Sequence, residues 1–75
     1  EGAMSTLSDT EVAAALERFK DRRVTAIHRL DMIARGATLT YEDGTPIDMA
    51  SEKRRQEKIV EDMDRRISAL ERSAG

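Results

Sequence analysis

Cysteine and tryptophan are absent from the 75 residues, and proline and histidine occur once each. Without cysteine there is no disulfide and no thiolate metal site, and a lone histidine cannot assemble a zinc centre. No cofactor is expected. Phe19 and Tyr41 are the only aromatics, so a core must be aliphatic and thin. No apolar run approaches the roughly 18 residues of a membrane span, and no apolar segment of a signal peptide is visible. The expectation is a cytoplasmic protein with no membrane partner. Charge of one sign is also lacking: 13 basic residues nearly cancel 15 acidic ones, so the summed field directs the chain toward neither nucleic acid nor membrane. A chain this short forms one domain that buries a modest share of its surface. With disulfides and metals excluded, association between copies is the remaining way to stabilise it.

What is present is mostly helical. Glu1-Gly2-Ala3-Met4 reads as the remnant of a cleaved expression tag with the native start at Met4, which leaves a single domain over 5–72 and a fraying tail over 73–75. Ser8-Asp9-Thr10-Glu11 matches a capping box, with Leu7 and Val12 at the hydrophobic staple positions. Apolar residues then recur at Val12, Leu16, Phe19, Ala26, Leu30 and Ile33, in steps of four and three, with Arg23 filling one seat. Arg35 and Gly36 carry the charge and the left-handed cap of a helix end. The pattern predicts a first helix from Asp9 to Arg35, about 40 Å long. A second helix is expected from a Ser51 cap to about Arg72, with its stripe at Ile59, Val60, Met63, Ile67 and Leu70. Its first two turns, Glu52 to Lys58, hold no apolar residue, so only its later half is expected to pack deeply.

Between the helices lies an uncharged island, Ala37 to Tyr41, then Glu42-Asp43-Gly44 and Thr45-Pro46-Ile47-Asp48-Met49. Its period of two predicts an isolated β-hairpin. A three-residue loop closed by Gly44 pairs Tyr41 with Thr45, Leu39 with Ile47 and Ala37 with Met49, which puts the apolar residues on one face. The rival reading starts the second helix early, with Thr45 as cap and Pro46 at its first position. The expected fold class is α+β, mainly helical, ordered helix, short hairpin, antiparallel helix. The first helix's apolar stripe outruns what the second can cover, so an oligomer is expected.

Candidate sites follow from that surface. The expected protein interface takes Leu16, Phe19, Arg23, Ile27 and Leu30 from the first helix, Leu39, Tyr41 and Ile47 from the hairpin, and Met63 and Ile67 from the second helix. Arg23, in a core seat, either sets register or a partner or lays its methylenes on the core with its head in water or paired to a carboxylate; the second is the expectation. Arg18, Arg22 and Arg29, with Thr25 between, form one basic stripe that could meet phosphates or an acidic partner. A solvated helix face is the plainer reading. His28 projects about 160° from the apolar stripe, and no nucleophile or second ligand accompanies it. Asp43 and Asp48 do not match a calcium loop. No phosphate-binding loop, dinucleotide fingerprint or nucleophile elbow occurs, so neither an enzyme nor a small-molecule substrate is expected.

The order of a capped amphipathic helix, an isolated hairpin with a tight Gly-containing turn and a charged helix ending in Ile67-Ser68-Ala69-Leu70-Glu71 resembles the small gpW-like head–tail joining proteins of tailed phages, over roughly residues 9–71. The resemblance implies a virion protein that assembles as a ring of copies at the capsid portal. It assigns no residue a role. The function expected from the sequence is thus a non-enzymatic assembly protein, possible as a phage or prophage head–tail connector. The alternative is a small nucleic-acid-associated regulator using Arg18, Arg22 and Arg29.

Overall fold

In the computed structural model, which describes residues 8–74, two helices of 26 residues each span Asp9–Ala34 (α1) and Met49–Ala74 (α2). Residues 1–4, read from the sequence as a tag remnant, and the staple residue Leu7 lie outside the described residues. α1 begins where the sequence places it: the Ser8 hydroxyl accepts from the Glu11 amide at 3.1 Å, and the Glu11 carboxylate accepts from the Ser8 amide at 2.9 Å. Two of the amides that a helix start leaves without partners are thereby satisfied. At the other end the Gly36 amide donates to the Ile33 carbonyl at 3.0 Å and the Ala37 amide to the Met32 carbonyl at 3.0 Å. This double closure requires a left-handed residue, and Gly36 has φ 97°.

The segment between the helices corrects the expected fold class. Among the described residues there is no strand, only an isolated antiparallel bridge between Thr40 and Pro46, so the protein is an all-helical hairpin rather than α+β. The register of the three-residue loop is present in two backbone bonds, Tyr41 amide to Thr45 carbonyl at 2.8 Å and Ile47 amide to Leu39 carbonyl at 3.0 Å. A ladder cannot grow from them, because the neighbouring groups are committed elsewhere. The Thr45 amide donates to Asp43 Oδ1 at 2.9 Å, and the Ala37 amide is held by the end of α1. Met49, the expected partner of Ala37, is the first residue of α2. Gly44, at φ 89°, turns the chain.

Both expected starts of α2 are also corrected. Asp48 takes the cap position: its carbonyl accepts the first helical bond from the Glu52 amide at 3.0 Å, and its carboxylate accepts from the Ser51 hydroxyl at 2.6 Å. Ser51 therefore lies inside the helix and donates to the cap. An aspartate three residues earlier serves the helix start better than a neutral serine, since its charge also faces the positive end of the helix dipole.

The helices pack antiparallel. Arg23 Nε donates to Asp64 Oδ1 at 2.6 Å, Lys20 Nζ lies 4.0 Å from Glu71, and the Arg66 guanidinium sits 5.7 Å from the centre of the Phe19 ring. The buried hydrophobic residues of this seam are Ala15, Ala26 and Met63. The deepest side chain is polar: Gln56 is 1% exposed. Its Nε2 donates to Glu52 Oε2 at 2.8 Å, while Oε1 has no partner. The expectation that only the later half of α2 packs deeply is thus corrected, because antiparallel pairing sets the first turns of α2 against the small Ala26, where a glutamine fits.

Two helices make a single layer, and domains ordinarily need two. The molecule measures 51 × 23 × 17 Å with a radius of gyration of 16.5 Å. A compact chain of this length would have a radius near 11 Å, by the usual scaling, about a third smaller.

Candidate interaction surfaces

Three surfaces combine side chains from both helices or from helix and loop. The first is the wet margin of the α1–α2 seam. Leu16, Phe19, Leu30 and Ile67 are half-buried, and Ile27, one position round α1 from Ala26, is 41% exposed. Val24 is exposed too, but about 160° round α1 from Ala26 and off this margin. Arg23 lies half-buried along this margin with its head on Asp64. Both partners are well solvated, so the pair contributes at most about 1 kcal/mol. Met63 differs from the other expected interface residues, since it is buried in the seam itself.

The second surface is a cleft at the loop end of about 420 Å³, walled by Met32, Ile33, Ala37, Leu39, Ile47 and Met49, with Arg29, Glu52 and Arg55 at its rim. Ile47 and Met49 turn partly inward, whereas Leu39 remains exposed and Tyr41, 59% exposed, stands outside the cleft. The expected single interface therefore divides. Leu16 and Phe19 lie more than three turns of α1 from the loop, so the hairpin residues and the seam residues form separate patches.

The third is a groove on one side of the seam. Arg22, Thr25, Ala26 and Arg29 of α1 form one wall, and Arg55, Gln56 and Ile59 of α2 form the other. Arg18, one turn before Arg22, is exposed. Arg55, which the sequence offers only as half of a weak Arg54-Arg55 pair, joins the stripe from α2. Its signal was the unbroken run of polar residues at the start of α2, which antiparallel packing places opposite Arg29.

The carboxylates flagged in the loop have structural work. The Thr45 hydroxyl and amide hold Asp43 below its ordinary pKa, and the Ser51 hydroxyl, followed by the Ala50 and Ser51 amides and Arg54, does the same for Asp48. The Ser8 amide and hydroxyl lower Glu11 in the same way. Each is thereby kept ionised as a backbone cap, not poised to exchange protons. Among the described residues no three His, Asp or Glu side chains converge on a metal-sized site, and no helix is long and apolar enough to cross a membrane. His28 is exposed on α1.

No protein-family model matches the chain, and no curated protein or solved structure matches it either.

Proposed function

We propose that the chain is a non-enzymatic assembly module that acts through protein–protein contacts, first of all with further copies of itself. One observation carries this reading: the hydrophobic residues buried by the hairpin are Ala15, Ala26 and Met63, while Ile27 remains exposed beside half-buried Leu16, Leu30 and Ile67. Alanines bury little area. A seam built on them supplies far less than the conformational entropy of ordering two 26-residue helices costs, at about 1–2 kcal/mol per residue for the backbone alone. A second hairpin laid on the same margin would complete the missing layer and turn half-buried side chains into core.

A role as a phage head–tail connector would be one instance of such a module. The reading of self-association rests on the seam and not on that resemblance.

Sedimentation velocity across about two decades of concentration tests the proposal. A mass that rises above 8.4 kDa with concentration is the expected result. A chain that stays monomeric and helical throughout the series would sink it.

A further inference from the structure

Half of the ten arginines of the described chain already have a carboxylate: Arg23 has Asp64, Arg35 has Asp31, Arg55 has Glu52, and Arg65 and Arg66 share Asp62. Arg18, Arg22 and Arg29 have none among the described residues. The tertiary fold places them beside further positive charge. Arg22 and Arg29 face Arg55 across the groove between the helices, and no carboxylate lines it. An adjoining shallow groove on α2 shares Arg55 and Ile59 and adds Lys58 and Arg65. Its one carboxylate, Asp62, is occupied by Arg65 at 3.2 Å and Arg66 at 3.1 Å. The chain as a whole has a net charge of −2, so the cluster of Arg22, Arg29, Arg55 and Lys58, with Arg18 one turn before it, is a local departure from the sign of the molecule; this strip includes Arg55 although Glu52 lies 3.6 Å from it.

We propose that this strip binds the phosphodiester backbone of double-stranded nucleic acid without reading its sequence. Three features select that ligand. The α1 arginines are spread over about 16 Å of helix, which suits a ligand that repeats its charge along its length. Guanidinium groups present paired donors that match phosphate oxygens. No aromatic lies along the strip to stack on unpaired bases: Phe19 is covered by Arg66, and Tyr41 is in the loop. Backbone contact to a duplex is what remains. This site is distinct from the apolar margin that carries self-association.

Fluorescence anisotropy with a mixed-sequence duplex DNA of about 20 base pairs tests the site. Four contacts, from Arg18, Arg22, Arg29 and Arg55, give a slope of log affinity against log salt of about −3.6, which is roughly 150-fold weaker binding at 200 mM than at 50 mM salt. Arg22→Gln with Arg29→Gln should halve the slope to about −1.8. Arg35→Gln with Arg72→Gln removes the same charge away from the groove and should leave the slope unchanged. Sedimentation of the same samples separates this result from any change in self-association, and circular dichroism confirms that the variants stay helical. Absence of duplex binding at about 50 mM salt, or equal loss in both variant pairs, overturns the proposal. Retention of poly-glutamate without duplex would overturn it too, by assigning the strip to an acidic protein.

Discussion

Replacing Ile27 by glutamate probes the seam margin where the structure leaves it wet. Full burial of an isoleucine stabilises by about 1.5–3 kcal/mol, so the 41% still exposed holds about 1 kcal/mol per copy for a partner to use. A twofold interface uses it twice. Glutamate deletes that contribution and adds the cost of desolvating an unpaired polar group, about 1–3 kcal/mol for each copy. The sum, about 4–8 kcal/mol, weakens a symmetric dimer at least a thousandfold. Sedimentation velocity should therefore show Ile27→Glu as a monomer at concentrations where the parent chain is associated. The control is Thr25→Glu, at an exposed position about 160° round α1 from Ile27, which should associate as the parent does. Circular dichroism at the lowest concentration checks that Ile27→Glu keeps its helices, and Ile27→Ala provides a milder variant whose association weakens without a new charge. If Ile27→Glu and the parent chain sediment alike over the whole series, the margin is not an interface and the reasoning from incomplete burial is wrong.

Other perturbations address the hairpin itself. Ser8→Ala removes the acceptor for the Glu11 amide and should destabilise the protein by about 1 kcal/mol, read as a lower urea midpoint. Because Glu11, Asp43 and Asp48 all have lowered pKa values, their contribution is fully present above the ordinary values of 4.5 and 3.8 and is lost as pH falls through the lowered ones; an acid titration by circular dichroism should show helix loss there, and Asp48→Asn should flatten part of it. Gly44→Ala meets no atom within 4 Å, so its cost is the left-handed backbone alone, about 1–2 kcal/mol, and a melting temperature unchanged within error would contradict the φ of 89°. Arg23→Leu exchanges a solvated ion pair for continuity of the apolar stripe, and thermal unfolding should be unchanged or shifted upward.

The basic stripe of α1 was legible because its members lie on one helical row, where spacing alone sets direction. Arg55 was not, since adjacent arginines at 54 and 55 point to different sides and only the partner helix distinguishes them. The same holds for Gln56. A glutamine in a polar run carries no periodic signal of burial, and it becomes the deepest side chain only because Ala26 leaves room opposite it. Of the interface residues read from the sequence, Leu16, Ile27 and Ile67 lie along the seam margin, whereas the loop residues Leu39 and Tyr41 belong to another part of the surface.

By itself the sequence determined what local rules govern. The start of α1 follows from Ser8 and Glu11, three residues apart and able to satisfy each other's amides, and its end from the conformational freedom of Gly36. The loop register follows from Asp43 and Gly44. Tertiary structure decided the competition for backbone groups between those local motifs. Met49 could pair with Ala37 or open a helix, and the Ala37 amide cannot serve both that pair and the Met32 carbonyl that closes α1; once α2 packs along α1, the helical choice gains a seam of contacts that a two-bond hairpin cannot match. The strands are lost for that reason, and a chain that reads as helix, hairpin and helix folds as two helices joined by a turn.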